Sequence, residues 1–167
     1  MNISDNKNKV SLLFICLGNI CRSPAAHGVM QEMVEKAGLS HKIRIDSAGI
    51  ADWHVGELPD QRIRSHAAQR GYDLLHKARH FQGSKEFENF DLILVMDGEN
   101  YAEVSRYART EEEQNKIHYL AEFLRHHADV NVIPDPYYGG SEHFEYVLDL
   151  IEDACGELLK ELQSEMK

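Results

Sequence analysis

Residues 10–16 read VSLLFIC, an apolar run almost without a break, and that run limits the architectures open to the chain. It is short and does not alternate, as expected of a strand buried on both faces of a parallel sheet. A small polar loop, LGNICRS, follows it. Pro24 then suits the first turn of a helix whose apolar stripe passes through Ala25, Val29, Met33, Val34 and Ala37 before Gly38 ends it.

The same alternation continues. KIRIDSAG is predicted as a second strand, with Ile43 and Ile45 on one face and a small-residue turn at Ser47-Ala48-Gly49. A helix is expected from about Pro59 to Arg70, stopped by Gly71. FDLILVMD reads as the next buried strand, GENYAEVSRYA as a helix, and NVIPD as a last short strand closed by the turn PDPYYGG. From Ser141 a long helix carries Phe144, Val147, Leu148, Ile151, Cys155, Leu158, Leu159 and Leu162 at three-and-four spacing. Strands alternating with helices imply βαβ crossovers, hence an α/β fold with a mostly parallel sheet and helices on both faces. Its 167 residues fit one domain, expected over 10–167, behind a loose polar tail at 1–9. In such folds the chemistry lies beyond the carboxyl ends of the strands. Cys16, Ser47, Asp97 and Asp135 all fall at such ends.

Eighteen basic against 28 acidic residues give a formal charge of -10, which argues against a nucleic-acid surface. An anionic substrate must therefore be captured locally, by backbone dipoles and a well-placed arginine. Three cysteines are too few for a secreted disulfide framework, and a reducing cytoplasm is the expected compartment. Lys7 and Lys9 before residues 10–17 imitate a secretory signal, but the run is short and lacks a convincing cleavage site. No stretch reaches the roughly 20 apolar residues of a membrane helix. A monomer is the default expectation.

The loop after the first strand carries the chemistry. Cys16, five intervening residues and Arg22 form the pattern C-x5-R, followed by Ser23, between a buried strand and a helix N-terminus. Backbone N–H groups and the helix dipole there favour an anion twice over, as a thiolate on Cys16 and as the oxygens of a bound phosphate. The expected cradle is Leu17, Gly18, Asn19, Ile20, Cys21, Arg22 and Ser23. Gly18 allows close backbone approach, and Asn19 tolerates a left-handed conformation. Arg22 offers a planar fork to two phosphate oxygens, and the Ser23 hydroxyl can donate to the thiolate. Neither nucleotide-binding glycine pattern is present. Cys16 and Cys21 lack a second pair of ligands for zinc, and the ten histidines are expected in solvated or structural roles, although His76 and His80 could share a helix face. A departing phenolate needs a proton, and Asp135, fixed between Pro134 and Pro136, is the candidate donor. Asp-Pro also commonly just begins a turn.

Together CLGNICRS, DSAG, DWHVGELPD, HKAR, LVMD and DPYYGG, in this order from about Val10 to the last helix, resemble the low-molecular-weight protein tyrosine phosphatases. The resemblance implies a four-stranded parallel sheet and hydrolysis of phosphotyrosine without metal or other cofactor. It implies Cys16 as nucleophile, Arg22 as phosphate clamp and Asp135 as general acid. Asn19 and Ser23 are then loop supports, with Ser47 and His76 bracing them, and Trp53, Tyr137 and Tyr138 wall the cleft. Cys21 is implied as a redox partner of Cys16, against the plainer role of a small buried residue. Phosphotyrosine proteins, with a tyrosine kinase among them, are the implied partners. Arsenate reduction on the same loop is disfavoured because the stretch MDGENYAEVSRYA after the third strand holds no cysteine, and a phosphate sensor without turnover would not need all of Cys16, Arg22 and Asp135.

Overall fold

A computed structural model describes residues 9–166. The expected tail thus lies outside the described residues, apart from Lys9. The sheet has four parallel strands in the order β2-β1-β3-β4: β1 Val10–Cys16, β2 Ile43–Gly49, β3 Leu92–Val95 and β4 Ile117–Tyr119. β1 is central. Leu12 and Phe14 face one apolar layer, Leu13 and Ile15 the other, and all four are fully buried, which explains the unbroken apolar run.

On the first face lie α1 (Arg22–Lys36), α2 (Gln61–Gln69) and the long helix α6 (Ser141–Glu165). Phe144, Val147, Leu148, Ile151, Cys155, Leu158 and Leu162 form the buried stripe of α6, as the spacing predicts. On the second face, Phe87 of α3 (Lys85–Asn89) and Val104 of α4 (Gly98–Ser105) pack on Ile93 and Val95, while the short α5 (Glu111–Gln114) precedes β4. No helix among the described residues is long and apolar enough to cross a membrane.

One strand differs from expectation. NVIPD is not a strand; the sheet's last member is Ile117–Tyr119. Ile133 N–H does bond Met96 O at 2.8 Å beyond the end of β3, but Pro134 next to it has no N–H to extend a ladder. The segment therefore docks at the sheet's carboxyl edge and turns. That bond helps bring Asp135 to the same edge as Cys16.

Candidate active site

β1 delivers Cys16 into a cavity of about 210 Å³ bounded by the loop residues Leu17, Gly18, Ile20, Cys21 and Arg22 and by Trp53, His54, Asp135, Tyr137 and Tyr138. The loop itself is fixed by Asn19, which is fully buried with φ 56° in the left-handed region that asparagine tolerates. Its Oδ1 accepts from the Arg79 main-chain N–H at 3.1 Å and from His76 Nε2 at 3.2 Å. Its Nδ2 donates to Ser23 Oγ at 2.7 Å. Ser23 Oγ lies 3.0 Å from Cys16 Sγ, and toward a thiolate, which has no hydrogen to give, the hydroxyl is the donor. That polarity stabilises a thiolate.

From outside, Ile50 N–H bonds Cys16 O at 3.0 Å, Ala51 N–H bonds Leu17 O at 2.8 Å, and Asp60 N–H bonds Ile20 O at 2.8 Å. These bonds engage loop carbonyls. No side chain caps the N-terminus of α1 and no acidic residue occupies its first turn, so its main-chain donors remain available to an anion.

Arg22, only 3% exposed, is the cation of the pocket. Its Nη1 donates to Asp97 Oδ2 at 2.7 Å and to Ile133 O at 3.0 Å, and its Nη2 lies 3.7 Å from Asp135 Oδ2. Burial alone would lower its pKa. The Cys16 sulfur, the hydrogen bond and charge of Asp97, and the charge of Asp135 outweigh burial and hold it above the usual arginine value. Burial, followed by the charges of Asp60, Cys16 and Asp135, pushes the Cys21 thiol far up, so Cys21 remains a neutral thiol beside the pocket. All three cysteines are free and buried, Cys155 within the α6 core.

A family model of low molecular weight phosphotyrosine protein phosphatase matches residues 11–167. The chain belongs to that family. The protein slr0328 of Synechocystis sp. is 45% identical over 157 residues, spanning 94% of this chain and 99% of its own length. The crystal structure of the Entamoeba histolytica protein tyrosine phosphatase superposes with a TM-score of 0.88 at 40% identity, covering 93% of this chain and 98% of that one. A Drosophila protein described as an arginine phosphatase, DARP, gives a TM-score of 0.82 at 31% identity over 90% of this chain and 96% of its own.

In this low-molecular-weight phosphatase family member the residues singled out from sequence divide into three groups. Cys16, Arg22 and Asp135 meet in one cavity with Trp53, Tyr137 and Tyr138 around it. Trp53 and Tyr138 are 70% and 95% exposed, so they stand at its mouth with most of each ring open to solvent. Asn19, Ser23 and His76 make the loop's internal bonds. Ser47 is one residue further out, its hydroxyl 3.1 Å from His27 Nδ1. The helix face expected for His76 and His80 does not exist: residues 73–79 are irregular, and His80 Nε2 sits 3.0 Å from Ile50 O.

Four positions were not assigned a role from sequence. Asp97 accepts from Asn100 N with Oδ1, capping α4, and from Arg22 with Oδ2. The legible signal was an aspartate between a buried strand and a helix. Arg62 donates to Tyr137 O at 2.8 Å and lies over the Tyr137 ring, steadying the wall of the cleft. His54 lines the cavity and pairs with Glu57.

Gly49, the fourth, closes β2 opposite Cys16. A Cβ there would lie 2.9 Å from Gly18 C and 3.0 Å from Asn19 N, both main-chain atoms. Gly49 cannot retreat easily, since its N–H bonds Arg79 O and its carbonyl receives Phe81 N–H, each at 2.9 Å. Gly49→Ala is therefore expected to move the loop and lower kcat/KM on an aryl phosphate by about 100-fold, the scale of an ångström's misplacement. Steady-state kinetics on a variant confirmed as folded by circular dichroism checks this.

Proposed function

We propose that residues 10–167 act as one catalytic unit that hydrolyses phosphotyrosine and small aryl phosphates through a phosphocysteine on Cys16. The observation that carries the reading is the meeting of Cys16 Sγ, the buried Arg22 guanidinium and the Asp135 carboxyl in one cavity, with the Ser23 hydroxyl 3.0 Å from the sulfur. Family membership supports it independently.

In the first step the Cys16 thiolate attacks phosphorus, an S–P bond forms and the aryl P–O bond breaks. Asp135 gives its proton to the departing oxygen, so a neutral phenol leaves. Arg22 and the N–H groups of Leu17 to Ser23 receive the equatorial oxygens, where charge accumulates as the transfer proceeds. In the second step the Asp135 carboxylate takes a proton from water whose oxygen attacks phosphorus. The S–P bond breaks, phosphate is released and the thiolate returns, stabilised by Ser23. None of these steps draws on a metal.

The cavity is built for a long phosphoryl ester, because Cys16 lies at its floor and Trp53 and Tyr138 stand at its mouth. We place phosphotyrosine proteins as its substrates and the reducing cytoplasm as its compartment, with the chain acting as a monomer. Cys21 serves as the resolving thiol. When an oxidant converts Cys16 to a sulfenic acid, the Cys16 charge that helps hold Cys21 protonated is gone; Cys21 gives up its proton as it attacks that sulfur, a Cys16–Cys21 disulfide forms, and the hydroxyl leaves with that proton as water.

The deciding experiment assays a phosphotyrosyl, a phosphoseryl and a phosphoarginyl peptide in reductant and chelator. Preference for phosphotyrosine is the expected result. Preference for phosphoarginine would align the chain with the activity described for DARP, and phosphate binding without turnover of any of the three would leave a sensor.

A further inference from the structure

We propose that His27, Asp46 and His76 form a binding site for one divalent cation of the zinc class, set behind the Cys16 loop and joined to it through Asn19. A ring nitrogen of each histidine and a carboxylate oxygen of Asp46 lie within 4.8 Å of one another. Two imidazoles and a carboxylate are a donor set zinc accepts. At metal–ligand distances of about 2.0–2.1 Å, neighbouring ligands sit roughly 3.3 Å apart, so the widest pair has to close by about 1.5 Å. His76 can make that move because it lies in irregular chain, whereas His27 is held in α1 and Asp46 in β2.

The hydrogen bonds already prepare the ligands. Asn19 Oδ1 is fixed as an acceptor by the Arg79 main-chain N–H, so His76 Nε2 must carry the hydrogen it shares with Asn19. The nitrogen nearer Asp46 is Nδ1, 3.8 Å from Oδ1, and the ring also interacts with the Ser47 main chain. The bond from Nε2 to Asn19 is the kind of outer-shell contact that orients a metal-ligating imidazole. His27 is oriented by Ser47 Oγ, 3.1 Å from its Nδ1.

Asp46 has a resident partner in Arg79, whose Nε bonds Oδ2 at 3.0 Å. Arg79 also holds Glu86 through two bonds of 2.8 and 3.1 Å, so it keeps a counter-ion when Asp46 Oδ1 turns to a metal. The histidines open onto a groove of about 400 Å³ whose rim carries Glu32, Glu35 and Asp73. Carboxylates at the mouth concentrate cations there.

Closure on a metal shifts His76 and, through the His76–Asn19 bond, pulls on the residue that holds Ser23 against the Cys16 sulfur. The cation therefore slows turnover. The binding half of the proposal is independent of the phosphatase reading; the inhibition half rests on it.

The test titrates Zn2+ into Cys16→Ser protein, which lacks the pocket thiol as a rival ligand, in competition with a chromophoric chelator. One zinc per chain is expected, with the side-chain NMR signals of His27 and His76 shifting together, and adding His27→Gln should weaken binding at least tenfold. Equal affinity in both proteins, or zinc that shifts neither histidine, overturns the site. In the enzyme with Cys16 intact, zinc should slow hydrolysis, and His27→Gln should raise the required concentration at least tenfold. Inhibition unchanged by His27→Gln overturns the coupling. Zinc bound at these histidines in a protein that hydrolyses nothing sustains the site and refutes the phosphatase reading.

Discussion

Cys16→Ser protein is expected to lose aryl phosphate turnover by about 10⁴-fold or more, the scale seen when a nucleophile that works as a unit with its neighbours is removed. A serine hydroxyl in that position is protonated at neutral pH and is a far weaker nucleophile than a thiolate. Nothing else in the cradle changes. Arg22, the open main-chain donors of α1 and the Asn19 bonds all remain, so phosphate should bind at least as well once the competing sulfur charge is gone. The sole tryptophan of the chain, Trp53, stands at the mouth of the cavity and gives a fluorescence reading of that binding. Lost turnover with retained binding establishes the sulfur as the phosphoryl acceptor. Turnover within tenfold of the parent would end the phosphocysteine reading.

The second large effect concerns Asp135. Removing a general acid typically costs 10²–10⁴-fold, and Asp135→Ala should lower kcat/KM for a phosphotyrosyl peptide by about that much. The same change should cost far less for an aryl phosphate whose electron-poor phenolate leaves without a proton. Asp135 also accepts from Tyr137 N–H at 3.0 Å and sits beside Arg22, so a loss could come from a displaced wall or an unbalanced cation. Asp135→Asn retains an oxygen for the Tyr137 N–H and separates these causes. A loss that is the same for both leaving groups in both variants would make Asp135 a positioning residue instead of the acid.

The first strand, the loop and α1 were legible because each is a continuous local signal: six apolar residues in a run of seven, a C-x5-R loop, and a stripe ended by Gly38, whose φ of 71° explains the stop. β4 was not. Three residues, Ile117 to Tyr119, are too few to show alternation, and they follow the polar stretch EEEQNK. NVIPD competed for the role because it is an apolar stretch before a turn, and the missing N–H of Pro134 was the argument against it. The short helices α3 and α5 are likewise below the length at which a period can be read. In the site, the nucleophile, the cation and the proposed acid could be named from residue types and strand ends. Of their supports, Ser47 and His76 were named only through the resemblance and Asp97 and His27 not at all, since the Asp97–Arg22, His76–Asn19 and His27–Ser47 pairs are made only when distant segments fold together.

The bonds that govern Cys16 come from successive stretches of chain, and a chain is made in order. Cys16 and Arg22 emerge early and side by side. Ile50, Ala51 and Asp60, which close the outside of the loop, come next, followed by His76 and Arg79, which lock Asn19. Asp97 arrives afterwards to neutralise Arg22, and Asp135 last. For most of its synthesis, then, the growing polypeptide carries a thiol of unremarkable temperament. The surroundings of Cys16 are thus complete only after the segment bearing Asp135 has been made.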